Sequence, residues 1–149
     1  MIKVQKENFS IEAEIKKINN SFENIGAISS FIGTVRNKSV HENLISMTLE
    51  HYPGMSEKML EKIEETAKKK WKLLGTCIIH RYGELFPGEQ IVLVITTSKH
   101  RKEAVESCHF IIDWLKTKGP FWKYEKTNDS GFWVEAKQSD IDEELKWKI

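Results

Sequence analysis

Two lysines, Lys116 and Lys123, flank a Gly119-Pro120 corner in the stretch Asp113-Trp114-Leu115-Lys116-Thr117-Lys118-Gly119-Pro120-Phe121-Trp122-Lys123. An amphipathic helical pattern runs into the corner, Gly119-Pro120 stops it, and an aromatic, basic strand pattern leaves it. Held against Phe121 and Trp122, the two ammonium groups sit beside apolar surface. Partial burial lowers a lysine pKa and suits the group to acid–base or carbonyl chemistry. A lysine in the last turn of a helix also complements the helix dipole without any catalytic role. The residues by themselves leave both readings open.

Ser98-Lys99-His100-Arg101 opens another helical pattern directly after an apolar run. Free backbone N–H groups, the positive end of the dipole, an imidazole and a guanidinium converge there, which suits an anion such as phosphate. No glycine-rich loop is present, so this is not a nucleotide P-loop; a solvated first turn is the competing reading. Arg36 closes a strand pattern after Gly33, where backbone can approach a ligand closely, and Thr34 and Val35 could offer backbone contacts beside it. His51 and His80 fall at strand ends and read as structural, and the five histidines show no His-x-x-x-His spacing. Cys77 falls in a strand pattern and Cys108 on the apolar face of a helical one, so both read as small buried hydrophobes rather than nucleophiles. Two cysteines without C-x-x-C spacing indicate neither a disulfide framework nor a zinc site. The Trp and Phe side chains around Lys123 could stack on a flat heterocycle or belong to a core.

These groups need a scaffold. The chain has 149 residues and a formal net charge of +1, enough length for one domain with a sizeable core. Near-neutrality argues against a general nucleic-acid binder, whose affinity rests on neutralising phosphates. No apolar run approaches the roughly 20 residues that span a bilayer, and the first residues lack the apolar core of a signal peptide; a cytoplasmic protein is expected. Ser10 is expected to cap a helix with Ile11, Ile15 and Ile18 on one face. Residues 26–36 and 44–52 read as strands forming an antiparallel hairpin around a polar turn. Ser56 is expected to cap a helix with Met59, Leu60, Ile63, Ala67 and Trp71 inward, a Glu/Lys outer face and Gly75 as its stop. Strands follow at 76–82 and 90–97 around a Pro87-Gly88 turn. Ser98 is expected to cap the helix carrying Ala104, Cys108, Ile111 and Leu115. Residues 121–126 and 132–136 form a last hairpin around Asn128-Asp129-Ser130-Gly131, and the charged tail from Ser139 reads as helical. Hairpins mixed with a few helices give an α+β class with a largely antiparallel sheet and flanking helices, and no linker divides residues 1–149 into two domains.

Taken together, the motifs resemble the large, catalytic subunits of molybdopterin synthase. They are Phe31-Ile32-Gly33-Thr34-Val35-Arg36, Leu49-Glu50-His51-Tyr52-Pro53-Gly54-Met55, His80-Arg81-Tyr82-Gly83-Glu84-Leu85 with Pro87-Gly88-Glu89, Ser98-Lys99-His100-Arg101, and the lysine corner itself, followed by Trp133-Val134-Glu135-Ala136. Each is moderately specific; their order and spacing, from about residue 9 to 140, make the set highly specific. The resemblance implies an α/β hammerhead-type fold and a central homodimer. Each subunit binds one small ubiquitin-like sulfur-carrier subunit, giving a heterotetramer. The carrier's C-terminal Gly-Gly thiocarboxylate reaches the active site and two sulfurs pass to cyclic pyranopterin monophosphate, forming the dithiolene of molybdopterin in molybdenum cofactor biosynthesis. Carried across by motif, Lys116 and Lys123 are the catalytic lysines; Arg36, His100 and Arg101 hold the substrate's phosphate and pterin; Thr34, Val35, Tyr124 and Glu125 line the site. No metal or cofactor is implied. Lys118 and Lys137 stand where relatives often carry arginine, which is not equivalent for bidentate phosphate contact, and Lys137 is the residue that could reach the neighbouring subunit's site. The rival reading is a non-enzymatic module for single-stranded nucleic acid built on the basic and aromatic residues of 116–126.

Overall fold

A computed structural model describes residues 1–39, 42–135 and 138–147. The element order is β1 (Ile2–Gln5), α1 (Ile11–Ser21), β2 (Ala27–Thr34), β3 (Leu44–His51), α2 (Met55–Lys70), β4 (Thr76–Arg81), β5 (Gly83–Leu85), β6 (Gln90–Ser98), α3 (Arg101–Lys118), β7 (Phe121–Thr127), β8 (Gly131–Val134) and α4 (Gln138–Leu145). The strands form two four-stranded sheets, ordered β1-β4-β6-β2 and β5-β3-β7-β8. β1 runs parallel to β4, and the other ladders of the described residues are antiparallel. The class is α+β, as the sequence implies.

β6 organises the first sheet. Eight of its residues are buried, from Ile91 to Ser98, and all six of β4 are buried beside it. A strand apolar on both faces needs a partner at each edge and a layer over each face. Alternation then sorts the side chains. Ile78 and Val94 join Leu60, Ile63 and Ala67 of α2 and Cys108 and Ile111 of α3. Ile79, Leu93 and Ile95 turn to the other face and meet Phe9 and Ile18.

That demand overturns the expected hairpin. Residues 27–34 and 44–51 are strands, but they do not pair with each other. β2 lies against β6, with Phe31 opposite Val94, while β3 lies between β5 and β7, with Leu49 opposite both Gly83 and Lys123. The polar turn between them carries the chain from one sheet to the other. β1 and β5 are too short to show a period, and tertiary pairing alone makes them strands.

Three caps also differ from expectation, while the first agrees. Ser10 Oγ accepts the Ala13 N–H at 3.2 Å and caps α1. α2 starts one residue before Ser56, from Gly54, whose φ of 84° favours glycine. Glu57 accepts the Gly54 N–H at 2.7 Å. Ser56 serves the turn instead: its Oγ accepts the Tyr52 N–H and donates to the Tyr52 carbonyl at 2.8 Å. Its proton being so used, it accepts from His51 Nδ1 at 3.1 Å, which gives His51 the structural role read from the sequence. α2 ends at Lys70 with Trp71 as its C-cap, ahead of Gly75. Ser98 closes β6, donating to the Lys72 carbonyl at 2.9 Å, and the N-cap of α3 is His100.

α3 stops where the sequence says it must. Gly119 is its C-cap, and a Cβ there would stand 2.4 Å from the Leu115 carbonyl oxygen. Pro120 is buried, and β7 leaves at once, with Phe121 opposite His51. α4 returns over α3. Just past it, Trp147 donates to Asp113 Oδ2 at 2.6 Å and meets the rings of Trp71 and Phe110 edge-on, with centroids 5.9 and 5.7 Å away. Among the described residues no helix is long and apolar enough to cross a membrane.

Gly119→Ala tests the corner. The added methyl must push the last turn of α3 off its carbonyl, and overpacking of this kind costs about 1–3 kcal/mol. The urea midpoint should fall accordingly, whereas an unchanged midpoint would mean the corner has room to spare.

Candidate functional site

Strand alternation decides what β7 shows to each side. Phe121, Lys123 and Glu125 point one way, Trp122 and Tyr124 the other. The first three line a cavity of about 600 Å³, within the range of small-molecule sites. The end of β2, the start of β6, the last turns of α3 and the end of β8 with the residue after it close the rest of it. Lys116 enters from α3 and Lys123 from β7, so the corner between them brings the two lysines onto one cavity. Lys123 is half-buried and Lys116 more exposed.

Around these lysines the wall is cationic. Arg36, Lys38, Lys116 and Lys123 face Glu125 and Glu135, four positive groups against two carboxylates. In a chain of formal charge +1 this is a local concentration suited to an anionic ligand. Phe31, Met47 and Phe121 give it apolar surface.

The sequence-derived site residues divide. Thr34, Arg36, Lys116, Lys123 and Glu125 line the cavity. Val35 does not: it is 3% exposed, its N–H donates to the Glu89 carbonyl at 2.9 Å and its carbonyl accepts from Gly88 at 2.8 Å. Its backbone is therefore spent on the Pro87-Gly88 turn. Tyr124 lies on the opposite face of β7, edge-on to Trp133 at 5.2 Å. His100 and Arg101 are exposed at the start of α3; at 1.5 Å rise per residue, Arg101 and Lys116 are about 22 Å apart along the helix. Within one chain the helix start and the lysine corner are separate places. Lys137 lies outside the described residues.

The sequence reading assigned no site role to His80, Lys38 or Glu135. Lys38 forms an isolated bridge with Asn43 in the polar turn, and Glu135 follows β8; neither has a local signal beyond its charge. His80 is the structural histidine expected, but it also lines the cavity. It is 6% exposed, Nδ1 donates to the Arg81 carbonyl at 2.9 Å, and the ring stacks on Phe121 with centroids 3.5 Å apart and planes 6° from parallel. Burial, with lesser contributions from Lys123 and His51, pulls its pKa down to about 3. Its neighbour Arg81 is structural, donating to the Lys6 and Gln90 carbonyls at 2.9 and 2.8 Å.

Neither cysteine has a reactive setting. Burial raises the Cys77 thiol to about 12 and raises Cys108 as well, so neither forms thiolate readily at neutral pH. Among the described residues, His109, Asp113 and Glu143 bring ligand-type atoms within 4.8 Å of one another. The Lys146 ammonium already sits among them, donating to Glu143 and lying 3.3 Å from His109 Nε2. It supplies the positive charge a cation would bring, and the cluster serves to hold α4 on α3.

His80 gives a pH signature. Its folded pKa lies below the ordinary 6.5, so above that pH both folded and unfolded chains are neutral there. Below it the unfolded chain takes up a proton the folded one refuses, and stability falls towards pH 3 by up to about 1.4 kcal/mol per pH unit. Urea midpoints between pH 7 and 4 should show this slope, and His80→Phe should flatten it; an equal slope in both proteins would place the proton uptake elsewhere.

Residues 4–118 match the family described as MoaE protein. The chain is similar to the molybdopterin synthase catalytic subunit of Ralstonia nicotianae, 45% identical over 148 residues, 99% of this chain and 84% of that protein. It is similar in structure to the molybdopterin biosynthesis MoaE protein of Burkholderia ambifaria, with a TM-score of 0.86, 42% identity and coverage of 100% of this chain and 98% of that one. It shares its fold with a chain of the complex of subunits 1 and 2 of molybdopterin-converting factor from Helicobacter pylori, at a TM-score of 0.74, 22% identity and 89% of both chains.

Proposed function

The chain belongs to the MoaE protein family, and from that premise we propose that it is the catalytic subunit of a molybdopterin synthase. It works with a small sulfur-carrier subunit and transfers two sulfurs to cyclic pyranopterin monophosphate. The observation that carries this reading is the meeting of Lys116 and Lys123 in one cationic, partly apolar cavity with Arg36.

The chemistry follows from charge and shape. A carrier tail ending in Gly-Gly can enter because glycine lets backbone approach the walls closely. Its thiocarboxylate and the substrate phosphate are both anions, and Arg36, Lys116 and Lys123 offset their charge. In each transfer a bond forms between sulfur and a carbon of the precursor as an oxygen substituent leaves that carbon, and the acyl carbon–sulfur bond breaks. A water oxygen takes the sulfur's place, so the carrier leaves as a carboxylate. Lys116 and Lys123 donate to the atoms on which negative charge develops, and Glu125, beside Lys123 on the same face of β7, accepts a proton from the water. The sulfur arrives from outside, in keeping with two thiols that burial holds protonated.

His100 and Arg101 join this site only from a second copy. One α3 cannot bring both of its ends to one cavity, whereas a two-fold dimer can lay the anion-suited helix start of one subunit over the lysine corner of the other. The nucleic-acid alternative has no support in the relatives, which are named molybdopterin synthase catalytic subunits, and β7 divides its basic and aromatic residues between two faces, Phe121 and Lys123 towards the cavity and Trp122, Tyr124 and Lys126 away from it.

With thiocarboxylated carrier and precursor, Lys116→Ala and Lys123→Ala should each fold normally and lower dithiolene formation by about a hundredfold or more, the scale of lost acid–base groups. Near-normal turnover in both would sink the assignment.

Mixing variants tests the shared site. Arg101→Ala and Lys116→Ala should each be impaired alone. After subunit exchange, two-fold symmetry leaves one intact site in each mixed dimer and restores about a quarter of wild-type activity. No recovery would show that both residues serve one subunit.

A further inference from the structure

The proposed chemistry assigns no role to the imidazole on the cavity wall, yet its surroundings fix it closely. The Arg81 carbonyl can only accept, so His80 Nδ1 carries the proton of that 2.9 Å bond. In the neutral ring Nε2 is then a bare acceptor. The parallel stack on Phe121 fixes the ring plane. Phe121 and Lys123 share one face of β7, two residues apart, and both line the cavity with His80. Lys123 lies within electrostatic reach of the ring. A half-buried ammonium needs acceptors to hold one position, and a neutral imidazole supplies one without adding or removing charge.

We propose that His80 is a positioning residue for Lys123: pinned by Arg81 and Phe121, it holds an unprotonated nitrogen at the cavity wall that fixes where the Lys123 ammonium sits. The inference rests on the reading of Lys123 as catalytic. Burial keeps the ring neutral through the working pH range, so the acceptor is always available. Among the described residues, the other titratable or charged groups on the cavity wall are Glu125 on the same strand, Lys116 on α3, Arg36 and Lys38 after β2 and Glu135 after β8, with His51 on β3 beside Phe121.

Two substitutions separate the two ring nitrogens. His80→Asn keeps a donor for the Arg81 carbonyl and loses the cavity-side acceptor; His80→Gln reaches far enough to restore it. In the complete complex, the asparagine variant should lower kcat about tenfold or more, as misplacement of a catalytic group does, with KM for the precursor nearly unchanged. Its alkaline pH–rate limb should move to lower pH, because an ammonium without its acceptor deprotonates more easily. The glutamine variant should recover most of both. NMR of the Lys123 side chain in the protein without carrier or precursor should show the same downward shift of its titration in His80→Asn. If that variant fails to fold, His80→Phe, which keeps the stack, takes its place. An unmoved Lys123 titration, or equal loss in the asparagine and glutamine variants, overturns the proposal. Wild-type turnover in Lys123→Ala overturns the functional reading instead, and leaves the NMR result to decide whether His80 holds Lys123.

Discussion

Strand β6 buries eight consecutive residues, and a strand with no solvent face can lie only inside a sheet that is itself covered above and below. Much else follows from that requirement. β4 and β2 take its two edges, α2 and α3 cover one face, and α1 with Phe9 covers the other. The chain between β2 and β3 must then leave the sheet, and β3 becomes the seed of a second one. The cavity lies where the second sheet, through β7, comes up against the first sheet and the end of α3.

That seam gives the site its character. A helix end and a strand start meet at Gly119-Pro120, so Lys116 and Lys123 come from two different elements yet open onto the same space. The first sheet contributes His80 beneath Phe121, and the stack ties β7 to β4 across the gap between sheets. Across the ladder from the same residue, the His51 ring lies 6.2 Å from Phe121 and 4.4 Å from Tyr82. The first residue of β7 is thus held by rings from β4 and β3, and a strand so fixed at its start carries Lys123 two residues later with little freedom.

Local signals were enough for much of this. Ser10, the helical spacing of α2 and α3, the apolar run of β6 and the Gly119-Pro120 stop are properties of short windows and were legible in the sequence. Arg36 and the two lysines stand near the Gly33 and Gly119-Pro120 breaks, but those residues alone leave a structural reading open, and it is the family motif that marks them. Pairing was not legible: β2 and β3 read as a hairpin because proximity along the chain is the only pairing signal a window offers, and the buried centre of the first sheet outweighed it. Ser56 and Ser98 looked like caps because a serine before a helical pattern usually is one, but each hydroxyl found a backbone partner elsewhere. Tyr124 and Val35 share with their neighbours the motifs from which the resemblance implies site residues. Alternation along β7 removed one and the Pro87-Gly88 turn consumed the other. His80 read correctly as structural, and its second exposure, onto the cavity, depends on a strand packed against it from forty residues downstream in the chain.

The segment ending in Trp147 is attached in two chemically different ways. Lys146 and Glu143, both partly exposed, make a polar clasp with His109 and the buried Asp113. Trp147 packs its ring among Trp71 and Phe110, with the Lys70 ammonium 5.1 to 5.4 Å from all three centroids. Ionic strength acts on these in opposite senses. Counter-ions screen the exposed clasp over a Debye length of about 8 Å at physiological salt, while strongly hydrated salts drive apolar surface together. Raising the salt therefore weakens the clasp on the solvent side while the packing of the indole against Trp71 and Phe110 is kept.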